Sequence, residues 1–373
     1  MASKNKQLQE PLIRIAKRDG MVWWKNWVVR GIAIAAALIV CDILIVCITG
    51  VNPFEFYASM VSGSFGSVRK VWMTLQKTAI LLCISLAVTP AFKMKFWNTG
   101  AEGQVLMGAL ASAACMIWWG DVLPNWALIP VMAIICMIAG IVWSVIPAFF
   151  KARWGTNETL FTLMMNYVAT QLVSYSITFW ENPPGSNSVG VINPNTYAGW
   201  LPSLFGQKYL LNILITVAVL VIVYIYLSRS KQGYEISVVG ESQNTARYIG
   251  IDVKKVIIRT MAFTGAICGI AGMLLVAGTD HTISTNTVGG QGFTAIMVSW
   301  LAKFNPIVMA LTSFLIVFLE RGAGEIATAF RLNESVAEIL TGIILFFIIG
   351  SEFFVNYKVN FRRAHKEGKI KND

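Results

Sequence analysis

The chain has 373 residues, 56% of them hydrophobic and only 13% charged, with a mean hydropathy of +0.63. Those figures exclude an ordinary water-soluble protein and predict an all-α polytopic membrane protein built as one domain. The formal charge of +11 would suit a nucleic-acid binder, but the basic residues sit in tails and short loops between apolar runs, where they orient helices in a bilayer; nucleic acid is therefore excluded as a partner and membrane lipid is expected.

Residues 1–30 carry Lys4, Lys6, Arg14, Lys17, Arg18, Lys25 and Arg30, together with Trp23, Trp24 and Trp27, and read as a basic segment ending in an interfacial anchor. The apolar run that follows, from Gly31 to Gly50, is too long for the core of a signal peptide and reads as a retained first span. A span needs about 20 apolar residues, and suitable windows recur near 31–50, 75–92, 101–119, 126–149, 157–178, 209–228, 256–278, 291–302, 306–320 and 335–354, about ten transmembrane helices in all. The window 291–302 is short for a span, so a short or broken helix is expected there. Threaded from a cytoplasmic N-terminus, the loops and tails place 24 Lys/Arg inside and six outside. That bias predicts a cytoplasmic segment 1–30, a transmembrane domain 31–354 and a basic cytoplasmic tail 355–373. On the outside, residues 179–208 are turn-rich and suited to cap a mouth. On the inside, residues 229–256 read as a turn followed by a short helix over Glu241 to Ile249, closed by Gly250.

Polar groups inside a bilayer are expensive, so their positions carry the functional information. The stretch Asn98-Thr99-Gly100-Ala101-Glu102-Gly103-Gln104 opens the third window, and Glu102 suits either a helix start or a pathway lining. In the fifth window Asn157 and Glu158 precede Thr159, Thr162, Asn166 and Thr170, which fall on one helical face and should point into the bundle, either as a conduit or as interhelical hydrogen bonds. Asn98, Glu102, Gln104, Asn157, Glu158, Thr162 and Asn166 are thus the candidate pathway residues. Gly265, Gly269 and Gly272 present a small-residue face of the kind that lets helices approach closely. A faint echo links residues 98–104 with Asn286-Thr287-Val288-Gly289-Gly290-Gln291-Gly292, as an inverted internal repeat would.

All six cysteines lie in apolar runs without metal-ligand spacing, and no phosphate-binding Gly-x-x-x-x-Gly-Lys-Ser/Thr motif occurs, so neither a metal, nor a cofactor, nor an ATPase site of its own is expected. The segments Phe96–Gln104, Gly155-Thr156-Asn157-Glu158-Thr159-Leu160 and Thr162-Leu163-Met164-Met165-Asn166-Tyr167 resemble the permease subunits of ABC importers for monosaccharides, nucleosides and branched-chain amino acids, the nucleoside branch most. Gly240 to Ile251 is similar to that family's ATPase-coupling loop, and the resemblance runs from about residue 75 to 355. It departs from the family at Thr99, where an aliphatic residue is usual.

The resemblance implies an ATP-driven importer of a nucleoside or simple sugar in a prokaryotic plasma membrane, with a cytoplasmic ATP-binding subunit, a second permease that is either identical or a paralogue, and an extracytoplasmic solute-binding lipoprotein. It assigns Gly240, Glu241, Asn244, Arg247 and Gly250 to ATPase coupling. The competing readings are an ion-coupled secondary carrier of a small neutral solute and an integral membrane enzyme, for which no reactive constellation is found.

Overall fold

A computed structural model describes residues 13–18, 22–49, 52–331 and 334–361; the remainder of both basic tails lies outside that range. The chain is helical nearly throughout: α1 (Trp23–Thr49), α2 (Pro53–Phe65), α3 (Val68–Lys93), α4 (Ala101–Trp119), α5 (Asn125–Trp154), α6 (Glu158–Trp180), α7 (Leu210–Arg229), α8 (Lys231–Glu241), α9 (Gln243–Tyr248), α10 (Val253–Leu275), a π-helical turn (Val276–Asp280), α11 (Gln291–Leu301), α12 (Pro306–Ala329) and α13 (Glu334–Asn356). All ten expected spans are helices. Eight are long and apolar enough to cross a membrane: α1, α3, α4, α5, α7, α10 with its π-helical turn, α12 and α13.

The other two differ for physical reasons. Helix α6 has 23 residues, but its polar face lowers its apolar character. Helix α11 has only 11, about 16 Å at 1.5 Å per residue, roughly half the hydrocarbon thickness of a bilayer. One helix and a pair of short strands are additions to the sequence reading. Helix α2 begins on Pro53, a residue favoured in a first turn, and β1 (Ile13–Lys17) pairs antiparallel with β2 (Tyr357–Phe361).

The chain divides into two compact units, residues 1–63 with 322–373, and residues 64–321. In the first, α1 packs along α13, with Arg30 paired to Glu352 at 3.0 Å and Phe56 stacked on Phe330. The second is organised around α10, which packs most extensively against α5, then against α4 and α3. The glycines make this possible. A Cβ on Gly265 would meet the carbonyl of Gly140, one on Gly269 the carbonyl of Cys136, one on Gly108 the backbone of Gly269, and one on Gly272 the carbonyl of Val105. Backbones touch directly across the seam. The hydroxyl of Ser144 completes it by donating to the Met261 carbonyl at 2.8 Å. Without a hydrophobic drive between helices in lipid, such close van der Waals contact supplies the packing energy.

Because nothing at Gly269 can yield except backbone, Gly269→Leu is expected to cost about 1–3 kcal/mol or more of packing energy. The measurement is the thermal unfolding midpoint in detergent, which should drop by several degrees while Gly324→Ala, where a Cβ meets nothing, leaves it in place.

Candidate functional site

Helix α3 ends with Lys95 in the left-handed region (φ 60°) and with the amide of Phe96 donating to the Ala91 carbonyl at 3.0 Å. The chain then runs to α4 through residues 96–100, of which Phe96, Asn98 and Gly100 are buried. The start of α4 has no side-chain cap of its own, so its exposed N–H groups need partners from elsewhere. Asn166 of α6 provides one: its Oδ1 accepts from the Gly103 amide at 2.9 Å, while its Nδ2 donates to the Thr99 carbonyl at 2.9 Å.

The same junction is tightened by further bonds. Thr99 donates its hydroxyl to the Thr159 carbonyl at 3.0 Å and its amide to Thr162 Oγ1 at 3.2 Å. Asn98 and Gln104 pair side chain to side chain, Gln104 Nε2 donating to Asn98 Oδ1 at 3.2 Å, and Asn98 Oδ1 also accepts from the Gly100 amide at 3.1 Å.

Glu102 does for another helix what Asn166 does for α4. Its two carboxylate oxygens accept from the amides of Gly290 at 2.8 Å and Gly292 at 2.7 Å, which are the cap and the second residue of α11. A carboxylate is favoured at such a helix start by both the free N–H groups and the dipole. The two echoing segments therefore meet, start to start, around this one side chain. Gly292 is packed on the backbone nitrogen of Glu102 with no room for a Cβ.

Of the seven candidate pathway residues, the fold brings five together: Asn98, Glu102, Gln104, Thr162 and Asn166. The other two stand apart. Asn157 caps α6, accepting from the Leu160 amide at 3.2 Å, and Glu158 is paired with Lys151 at 2.7 Å. Thr162 and Asn166 face inward as expected and are buried, whereas Thr170, at the far end of the stripe, is half-exposed. Gly290 and Gly292 were visible in the sequence only through the echo; Thr99, a departure from the family pattern, turns out to be a hydrogen-bonding partner of α6.

The loop 229–256 departs from the expected turn and single helix. It forms two helices, because Ser230 caps α8 by accepting from the Gly233 amide and Ser242 caps α9 by accepting from the Thr245 amide. Ile236 and Val239 bury the inner side of α8. Glu241 thus ends α8 instead of opening the second helix. Gly240 is buried, and a Cβ there would meet the Lys93 carbonyl at the end of α3. Glu241, Asn244 and Arg247 are exposed, and Gly250 closes α9 in the left-handed region (φ 84°). The sequence reading missed Tyr248, 92% exposed, and the adjacent Ile249; two large apolar side chains ending a polar helix were the available signal. Glu235 of α8 is paired with Arg259 of α10 at 2.5 Å. Asp252, which caps α10, is held below the usual carboxylate range by the amide of Lys255, with the Lys255 ammonium and the Lys254 amide adding to it.

At the other end of α10 the loop 181–209 is docked firmly. The Trp200 ring stacks on His281 with centroids 3.6 Å apart, Leu201 donates its amide to the Ala277 carbonyl, and Ile192 donates to the His281 carbonyl. Burial, with a smaller push from the nearby Lys208 ammonium, brings the His281 imidazole down to about 4. Between α4, α5 and α6 an open groove of about 540 Å³ is lined by Leu110, Ala111, Trp118, Tyr175, Phe179 and Trp180 among others.

Comparison with known proteins places this architecture. The model of a family described as branched-chain amino acid transport system / permease component matches residues 71–349. The chain is 28% identical to the glucose ABC transporter permease protein TsgB13 of Haloferax volcanii, over 89% of this chain and 90% of that one. It is 28% identical to the guanosine ABC transporter permease protein NupP of Bacillus subtilis, over 83% and 89%, and 27% identical to the nucleoside ABC transporter permease protein NupB of Lactococcus lactis, over 80% and 84%. Each of these organisms also holds a second permease protein, named for the same solute, that matches at 23–24%.

Two outcomes follow from the geometry. Asn166→Leu leaves the Gly103 amide and Thr99 carbonyl without their partner, at about 1–3 kcal/mol for each group, and should lower the unfolding midpoint in detergent more than Thr170→Val does. His281 is neutral in the folded chain down to about pH 4 but protonates near 6.5 when unfolded; the stability it contributes is therefore full above 6.5 and lost as pH falls from 6.5 towards 4. The protection factors of amides 190–201, with intrinsic exchange at each pH divided out, should fall as pH drops through that window in the parent and stay level in His281→Phe.

Proposed function

Because this chain belongs to the family of branched-chain amino acid transport system permease components, and is a multi-pass permease subunit of an ABC importer, we propose that it carries a nucleoside into the cytoplasm. The observation that supports this reading is the similarity over more than 80% of the chain to relatives named for guanosine and, at 80%, for nucleosides. A simple sugar is the second reading, favoured by the equally similar glucose permease protein. ABC permeases work with an ATP-binding subunit and a solute-binding protein. The energy here comes from ATP hydrolysed on a separate subunit, for which the exposed end of α9 is the docking point: Tyr248 and Ile249 supply apolar anchors, and Arg247 and Asn244 the polar rim. The solute-binding protein, lipid-anchored, delivers from the far side.

The basic residues support an orientation with both termini cytoplasmic in a prokaryotic plasma membrane, residues 1–30 and 355–373 flanking the transmembrane domain 31–354. The second permease is a paralogue, since three relatives' organisms each hold two matching permeases and this chain resembles one member of each pair more. It covers the outward side of α6, where Tyr167, Gln171 and Thr178 are exposed; an amide such as Gln171 facing acyl chains would lack partners. The solute passes along this face, beside the junction of α4 and α6.

Purification of the tagged chain from native membranes tests all of this together. An ATPase, a paralogous permease and a nucleoside-loaded binding protein should co-purify; Tyr248→Ala should reduce ATPase recovery several-fold while the second permease remains. Recovery of this chain alone, active in uptake under ATP depletion, would overturn the proposal.

A further inference from the structure

We infer that residues 93–104 form a stiff link carrying movement of α8 and α9 to the start of α11, with Glu102 as the positioning residue at its far end. This rests on the ABC-permease reading.

The input end is clamped. Gly240 lies on the Lys93 carbonyl and the Met94 Cα so closely that α8 has no room to slide past the end of α3. Gly233 is packed in the same way on the carbonyls of Tyr226 and Leu227 at the end of α7, and Glu235 is held by Arg259 of α10. A push received on the exposed α9 is therefore transferred by α8 to Lys93 and Met94.

The link itself has little slack. Its first turn is closed by the Phe96–Ala91 backbone bond, its middle by the Asn98–Gln104 pair and the Gly100 amide on Asn98, and its end by the bonds of Thr99 and Gly103 to Thr162 and Asn166. Movement at Met94 is delivered a few residues later to both α6 and Glu102.

The output end is able to change state. Two short charge-assisted bonds from Glu102 hold the start of α11. The helix is only 11 residues long and is preceded by Gly289 and Gly290, both left-handed at φ 60° and 79°, a backbone that glycine lets rotate freely. The far end of the helix is anchored to α3 and the residues just after it by the Ser299–Thr89 bond and by Trp300 against Phe92 and Trp97. A half-length helix with its start on a glycine pivot, held there by one carboxylate, is therefore an element whose start can take two positions, as coupling requires.

The test uses the assembled complex in proteoliposomes, with binding protein and labelled guanosine as the probe. Glu102→Gln keeps the side chain's shape and removes its charge; ATP hydrolysis should stay within about twofold of the parent while uptake per ATP falls about fivefold or more. Glu102→Asp should fall in between. Gly240→Ala, acting at the opposite end of the link, should give the same signature. An unchanged uptake-to-hydrolysis ratio in Gly240→Ala and Glu102→Gln overturns the inference, as does a proportional fall in both activities with less assembled complex. A nitroxide on Phe293→Cys in a Cys47→Ser background reads α11 without any solute. A non-hydrolysable ATP analogue should alter its mobility in the parent and not in Gly240→Ala; an equal response in both overturns the link. A parent that hydrolyses ATP and shows the nitroxide response but takes up no guanosine would refute the nucleoside reading alone.

Discussion

A helix that begins within a bilayer leaves amides pointing at nothing, and no water is at hand to receive them. The centre of this protein is organised by that constraint. Two helices, α4 and α11, start against one another, and each has its first amides satisfied by a side chain borrowed from a neighbour: Asn166 from α6 for α4, and Glu102 from α4 for α11. These partners cannot be exchanged for apolar residues without leaving backbone groups orphaned. The polar residues that looked costly in a membrane chain are the reason its helix starts can exist there.

This also reconciles the two readings of the polar stripe on α6. At Thr162 and Asn166 the side chains serve as interhelical ties, bonded to Thr99 and Gly103, while Tyr167, Gln171 and Thr178 on the opposite side of the helix stay exposed. Tie and exposed face are two sides of the same element, so a shift in the tie necessarily repositions the other side.

Much of the architecture was legible because burial in lipid writes long, simple signals: ten apolar windows gave ten helices, and the glycines of α10 marked the face that meets α5 and α4. What escaped was local or long-range. Helix α8 was read as a turn leading into the expected short helix, because its apolar residues are too few to announce a helix and its capping Ser230 and the Ser242 that opens α9 read as turn residues. Helix α2 hid behind a Pro, three serines and a glycine. Glu102 was singled out as a helix-start residue, yet the helix it serves best begins 188 residues away, a pairing that no spacing rule contains. The partner of Glu158 went unnoticed for the opposite reason: Lys151 is close in sequence, across the short turn joining α5 to α6.

The contacts among α4, α5 and α10 have a consequence for how the molecule must work. Where backbone rests on backbone at Gly108, Gly140, Gly265 and Gly269, there are no side chains to repack, so these helices lack the alternative rotamers by which interfaces usually slip. They behave as a keel. Any rearrangement of this unit must therefore come from the thinner timbers around the keel and not from slippage within it.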